Sequence, residues 1–129
     1  MAALLLGVGG MPLSAHLLTL STHRRRFVLR GDGRAAAAAA FALLPRRCPG
    51  FALDCAIVLP DRVYAIVRLP NGSALSSLVQ AYKAAATRRI KSTVAIDHVW
   101  EKGYAHRVIR DEAELIAVRA ALRAYERAT

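Results

Sequence analysis

The chain has 129 residues, enough for one domain with its own hydrophobic core. Hydrophobic residues make up 55% of it, which excludes a largely disordered protein. The 19 Lys and Arg residues outnumber the 9 Asp and Glu residues, and the net charge of +10 predicts a polyanionic partner, nucleic acid before an anionic membrane surface. No apolar run reaches the roughly 18 residues that span a bilayer. Cys48 and Cys55 match no zinc or redox spacing and are expected as thiols in a reducing cytoplasm.

The N-terminal segment up to Met11 is apolar and uncharged, and it lacks the positive region of a signal peptide. We therefore expect residues 1–12 to be a flexible tail or a mis-assigned start, with translation from Met11 as the alternative. Residues 13–129 are then the domain.

Hydrophobic periodicity and turn residues predict seven elements in chain order. They are a strand over 14–20, a helix over 34–44, strands over 51–59 and 63–69, a helix that Ser73 caps and that runs to 91, a strand over 104–109, and a final helix that begins at Asp111. This order predicts an α+β fold, with one antiparallel sheet, helices on one face and a ferredoxin-like or RRM-like β-α-β-β-α-β-α plan.

Both long helices have an apolar face at helical spacing. In the helix that ends at residue 91, the face comprises Leu75, Leu78, Val79, Tyr82 and Ala86. The final helix has Asp111 followed by Glu114, a capping-box pattern. It is expected to bury a stripe of Leu115, Val118, Leu122 and Tyr125.

Three segments of the sequence resemble the REP-associated branch of the single-tyrosine HUH transposase superfamily. The first is Thr-His-Arg-Arg-Arg-Phe-Val-Leu over 22–29, and the second is Ala-Ile-Val-Leu-Pro-Asp-Arg-Val-Tyr-Ala-Ile-Val over 56–67. The third is the helical segment 75–90 followed by Trp-Glu-Lys-Gly-Tyr over 100–104 and Arg-Val-Ile-Arg-Asp-Glu over 107–112. The resemblance covers roughly residues 14 to 125.

The resemblance implies a DNA strand transferase. In that family, two histidines at i and i+2 on one strand share a face and, with a polar residue of the last helix, hold Mg²⁺ or Mn²⁺. A tyrosine on the last helix attacks the scissile phosphate and forms a phosphotyrosine link.

This sequence departs from the family at both positions. Arg62 and Tyr64 occupy the histidine positions, and a protonated guanidinium has no lone pair for a metal. Asp61 alone is a weak ligand. A gapless alignment places Ala121 at the nucleophile position, whereas Tyr125, four residues later, lies near the same helix face and is the alternative nucleophile. We therefore expect no metal and no other cofactor.

The histidines do not restore a metal site by their spacing. His16, His23, His98 and His106 fall in four separate segments. His106, next to Arg107, is also a candidate for contact with DNA.

Residues expected to bind DNA lie on one strand face and in basic clusters. Alternation places Arg62, Tyr64, Ile66 and Arg68 on one face, where Tyr64 can stack on a base. Phosphate contacts are expected from the cations of the other segments. The predicted DNA-binding set is Arg24, Arg25, Arg26, Arg62, Tyr64, Lys83, Arg88, Arg89, Lys91, Lys102, Arg107 and Arg110.

Three functions follow from this sequence. The favoured hypothesis is a transposase-like protein that binds single-stranded or hairpin DNA and is impaired in strand cleavage. The second is an active DNA transposase that uses Tyr125, and the third is an RNA-binding module on a ferredoxin-like fold. We expect a cytoplasmic protein without a membrane partner, and leave a homodimer open.

Overall fold

The computed structural model describes residues 13–128, so the predictions for residues 1–12 lie outside the described residues. The helices and strands are β1 (Leu13–Ser21), α1 (Asp32–Ala39), α2 (Leu44–Arg47), β2 (Ala52–Leu59), β3 (Arg62–Pro70), α3 (Leu75–Lys91), β4 (Ala105–Ile109) and α4 (Glu112–Ala128). Short 3₁₀ turns cover His23–Arg25 and Ala40–Leu43.

Within the described residues, the strands form a four-stranded sheet in the order β2-β3-β1-β4, with every neighbouring pair antiparallel. β2 and β3 form an antiparallel hairpin, with Pro60 and Asp61 in its turn. β1 lies inside the sheet, where Leu18 is opposite Ala65 of β3 and His106 of β4. The predicted α+β class and the predicted antiparallel sheet are confirmed.

One face of the sheet is covered by α1 and α3. Leu18 and Leu20 of β1 and the alternate residues Val63, Ala65 and Val67 of β3 are buried in this core. α3 contributes the residues at helical spacing, which are Leu78, Val79, Tyr82, Ala85, Ala86 and Ile90. The predicted apolar face of α3 is therefore confirmed for all its members except Leu75, which is only partly buried.

A polar group on this face is satisfied inside the core. The Tyr82 hydroxyl donates a hydrogen bond of 2.8 Å to the carbonyl oxygen of Ala37 in α1. Burial raises the pKa of Tyr82, because the phenolate would lose its hydration. The hydroxyl thus remains a proton donor and joins α3 to α1.

The expectation that all helices lie on one face is wrong for α4. Its buried residues Leu115, Val118 and Leu122 pack against Ile66 and Ile109 on the opposite face of the sheet. The reason is strand alternation: a residue such as Ile66 points away from the α1 and α3 side and needs its own apolar cover. The C-terminal helix supplies that cover.

The two long helices differ in how well their starts were predicted. At α4, the Glu114 amide donates to Asp111 Oδ1 at 2.9 Å and the Arg110 amide donates to Glu114 Oε1 at 3.2 Å, so the capping interaction is confirmed. At α3, the N-cap is Ala74 without a side-chain cap, so the prediction of Ser73 as the cap is wrong. The Ser73 amide instead closes the preceding turn by donating to the Pro70 carbonyl at 3.0 Å.

Candidate nucleic-acid interface

Arg62, Tyr64 and Tyr125 form a cluster between the start of β3 and the last turns of α4. The Tyr64 and Tyr125 ring centroids are 5.7 Å apart, with ring planes tilted by 58°. The Arg62 guanidinium carbon lies 5.7 Å from the Tyr64 ring and 5.8 Å from the Tyr125 ring, within the range of cation–π attraction. β3 thus supplies two of the three side chains at i and i+2, and α4 brings the third to them. We call these residues the Arg62 cluster.

The prediction that Tyr125 is buried with the apolar stripe of α4 is wrong. Its side chain is 44% exposed, whereas Leu115, Val118 and Leu122 are at most 6% exposed. Tyr125 lies about one turn beyond Leu122, where its ring neighbours are Tyr64 and Arg62 instead of aliphatic residues. The Tyr125 ring therefore packs against Tyr64 and Arg62 and remains accessible to solvent. Ala121 is also exposed.

The carboxylate beside the Arg62 cluster is already engaged. Asp61 Oδ2 is 2.9 Å from an Arg25 terminal nitrogen, and Asp61 Oδ1 is 3.4 Å from Arg62 Nε. The 3.4 Å contact between Arg62 Nε and Asp61 is an ion pair that lacks hydrogen-bond geometry. The buried Nε atom therefore donates no hydrogen bond. Asp61 is therefore a partner for two arginines and offers little to a metal ion.

Residues 22–26 after β1 form a basic loop. Thr22, which is fully buried, holds this loop close to the Arg62 cluster. The Thr22 amide donates to the Asp61 carbonyl at 2.9 Å, and its hydroxyl donates to the Arg26 carbonyl oxygen at 2.7 Å. Arg24 and Arg25 both have φ of 55°. This left-handed conformation costs roughly 1–2 kcal/mol per residue other than glycine. The buried Thr22 anchor holds three exposed arginines beside the start of β3 in spite of this strain.

A cavity of about 230 Å³ continues the site across β1. Thr19 and Ser21 line it, and in the sheet register these residues are opposite Tyr64 and Arg62. Its remaining lining comes from the loop before β4 and the first residue of that strand, Glu101, Lys102, Gly103, Tyr104 and Ala105. The Arg62 cluster and this loop therefore border one continuous surface.

The loop of residues 100–104, which belongs to the third segment of the resemblance, is fixed by several contacts. The Glu101 amide donates to the Ser21 carbonyl at 2.8 Å. Lys83 Nζ donates to the carbonyl oxygens of Glu101 at 2.9 Å and Gly103 at 2.6 Å. Lys83, predicted to contact DNA, is thus directed at backbone oxygens, where it connects α3 to the loop.

The remaining predicted cations are distributed over the surface. Arg26 and Lys91 line one open groove of about 490 Å³ with residues 94–97, so the structure brings the basic loop and the end of α3 together. The other predicted DNA contacts outside the Arg62 cluster are exposed, namely Arg88, Arg89, Lys102, Arg107 and Arg110.

The four histidines form two ring pairs that their spacing in the sequence did not indicate. The His16 and His106 rings lie 5.6 Å apart on neighbouring strands, and the His23 and His98 rings lie 5.3 Å apart. The β1–β4 register brings the first pair together. A sequence-based prediction that these two strands pair would have indicated that contact. Burial, and secondly the charge of His106, lower the pKa of His16.

An ion network around Asp54 of β2 had no signal in the sequence. Arg119 of α4 binds Asp54 with both ends of its guanidinium, at 2.8 and 2.7 Å, and Arg68 of β3 binds it at 2.8 Å. The hydrogen bond from Arg119 is the main reason that the pKa of Asp54 is lowered. We call this set the Asp54 network; it joins α4 to two strands.

A solved REP-associated tyrosine transposase bound to a REP hairpin is similar to this chain, with a TM-score of 0.66 at 21% identity, over 81% of this chain and 61% of the other. This chain has the transposase fold. A predicted transposase from Deinococcus radiodurans R1 gives a TM-score of 0.69 at 20% identity over 92% of both chains. No protein-family model and no curated protein matches the sequence, so the likeness is one of structure.

In this transposase fold the positions that the resemblance assigns to metal ligands do not fit a divalent ion. Arg62 is cationic, Tyr64 packs against it, and Asp61 is paired with two arginines. Among residues 13–128, no group of three or more His, Cys, Asp or Glu side chains could hold a metal. No helix in that range is long and apolar enough to cross a membrane.

Proposed function

We propose that this chain is a transposase-like protein that binds single-stranded or hairpin DNA and is impaired in strand cleavage. The Arg62 cluster carries the proposal: a guanidinium lies against two tyrosine rings on the open end of a sheet face. An unpaired base can stack on such a ring, and the guanidinium can pair with the adjacent phosphate.

The surroundings of the cluster favour a nucleic acid over a small anion. The strained loop adds Arg24, Arg25 and Arg26 on one side, and the cavity at Thr19 and Ser21 extends the surface on the other. A strand of several nucleotides would contact all three regions. The hairpin-bound transposase of the same fold supports DNA as the polymer.

The impairment rests on the chemistry of the same residues. Arg62 and Tyr64 cannot replace a histidine pair in holding an ion that polarises the phosphate, and Ala121 has no nucleophilic atom. Loss of either group is severe, because the members of a catalytic unit contribute non-additively.

The second candidate is an active transposase, favoured by the proximity of Tyr125 to Arg62. The guanidinium, whose carbon lies 5.8 Å from the ring centroid, would bind the scissile phosphate next to Tyr125. Attack by Tyr125 Oη would form the phosphotyrosine bond and release a 3′ hydroxyl.

A denaturing gel with labelled hairpin DNA and Mg²⁺ or Mn²⁺ separates the two candidates. The proposal expects no shifted covalent band for the wild type. A band that disappears in Tyr125→Phe would overturn the impairment and establish Tyr125 as the nucleophile. Parallel titration with RNA of the same sequence tests the third function, since a preference for RNA would contradict DNA as the partner.

A further inference from the structure

A second row of rings lies on the other face of the sheet, at its β4 edge. Tyr104, His106 and His16 follow one another with centroid distances of 5.7 Å from Tyr104 to His106 and 5.6 Å from His106 to His16. Tyr104 precedes β4, and its ring lies beside the ring of His106 in that strand. His106 is directly opposite Leu18, whose side chain belongs to the core under α1 and α3. His106 and His16 are thus on the α3 side, whereas the Arg62 cluster is on the α4 side. Tyr104, which precedes β4, lies at the sheet edge and also lines the cavity beside Thr19 and Ser21.

The helices leave this row uncovered. Tyr104 is 37% exposed and Val108, next along the same face, is 48% exposed. Within the described residues, β4 contributes only Ile109 to the buried set, and that side chain faces α4. Three adjacent flat rings beside an exposed aliphatic side chain therefore form an open surface at the sheet edge.

The row is fixed before any ligand arrives. Lys83 holds the carbonyl oxygens of Glu101 and Gly103 immediately before Tyr104, and Gly103 has a φ of 83° that favours glycine. His16 is half-buried, and its lowered pKa keeps the ring neutral at physiological pH. A pre-formed surface of rings suits stacking of bases, because little ordering is needed on binding.

We propose that Tyr104, His106 and His16 form a second surface that stacks unpaired bases of single-stranded DNA. The charge near it suits a polyanion, because Lys102, two residues before Tyr104, is exposed. The inference rests on DNA as the partner in the proposed function, but it does not require the Arg62 cluster to bind.

Because His106 and His16 lie on the face opposite the Arg62 cluster, a short oligonucleotide can occupy one surface without the other. An oligothymidine of about 6 nucleotides, within the site size of a small single-strand-binding fold, is the probe. Native mass spectrometry and fluorescence titration should give two oligonucleotides per wild-type chain. Tyr104→Ala should leave one, and at the altered surface the affinity should fall about 5- to 160-fold, the range that loss of one base stack implies.

Three controls make the result specific. Tyr104→Phe keeps a ring and should retain two oligonucleotides, and His106→Ala should behave as Tyr104→Ala does. Photocrosslinking of the wild type with an iodouracil-containing oligonucleotide should label the peptide that holds Tyr104 and His106. This measurement does not depend on the stability of any variant.

Binding of a single oligonucleotide that is indifferent to Tyr104→Ala, with crosslinks confined to Tyr64 and Tyr125, would overturn the second surface and leave the proposed function in place. Two bound oligonucleotides in Tyr64→Ala, reduced to one by Tyr104→Ala, would support the second surface and contradict the role of the Arg62 cluster. Absence of DNA binding by the wild type would overturn both.

Discussion

The two faces of the sheet are built in different ways. Under α1 and α3 the core is continuous and apolar, and the buried Tyr82 hydroxyl donates to a helix carbonyl. Under α4 the apolar part is smaller, and Ile66 and Ile109 of the sheet meet a short stripe of the helix that contains Val118. Beside that stripe lie the Asp54 network and the Arg62 cluster.

Stability and the candidate chemistry are therefore concentrated on different faces of the sheet. The α1 and α3 face is closed mainly by apolar contacts and leaves an open ring surface at its β4 edge. The position of α4 depends on a few polar contacts as well, and its last turns leave Tyr125 accessible next to Arg62. Substitutions on the two faces should therefore differ in what they change.

The largest effect is expected from truncation of the main core. Leu78→Ala removes a side chain that is 1% exposed between α3 and the sheet, and should lower the free energy of unfolding by about 3–5 kcal/mol. Leu122→Ala on the α4 face should lower the free energy of unfolding less, by about 2–3 kcal/mol, because α4 can shift and partly fill the cavity. Urea denaturation measures both. Equal losses would contradict the difference between the faces.

The Asp54 network should give the next largest effect. Asp54→Asn removes the charge that Arg119 and Arg68 share, and should lower the free energy of unfolding by about 1.5–3 kcal/mol. Arg119→Lys, which keeps the charge but cannot bind with two ends, is the matched variant and should lose less in the same urea series. A larger loss in Arg119→Lys than in Asp54→Asn would show that the shared charge is not what stabilises this face.

The same network predicts a dependence on pH. Because the pKa of Asp54 is lowered in the folded state, its contribution is present above the unfolded value near pH 4 and is lost as pH falls through the folded value. The stability difference between wild type and Asp54→Asn should therefore shrink below about pH 4. A constant difference down to the acid limit of folding would show that the carboxylate charge is unimportant.

The basic loop should affect binding more than folding. Replacing Arg24, Arg25 and Arg26 together by Ala removes three exposed cations, and the slope of log affinity against log salt for single-stranded DNA should fall by about 2. Affinity should drop for all sequences alike, because phosphate contacts do not read bases. An unchanged slope in a filter-binding series would exclude this loop from the interface.

The sequence predicted the parts of the fold that depend on local patterns. Alternation in β3, the helical spacing in α3 and the Asp111–Glu114 cap are all short-range signals, and the structure confirms them. Ser73 failed as a cap because its amide closes the turn before the helix and Ala74 takes the N-cap position.

What the sequence could not predict depends on contacts between distant segments. The side of the sheet that α4 covers, the ion pairs of Asp54 with Arg119 and the pairing of His16 with His106 all join residues far apart in the chain. At the Arg62 cluster, alternation placed Arg62 and Tyr64 together, but only the packing of α4 brings Tyr125 to them.

The most direct test of the central claim is the affinity of Tyr64→Ala for a single-stranded oligonucleotide, measured by fluorescence titration beside Tyr64→Phe. If a base stacks on this ring, Tyr64→Ala should lose about 1–3 kcal/mol of binding free energy, while Tyr64→Phe, which keeps the ring, should bind nearly as the wild type does. Circular dichroism would confirm that both variants are folded. Equal affinity of all three proteins would contradict the claim that the Arg62 cluster binds unpaired DNA.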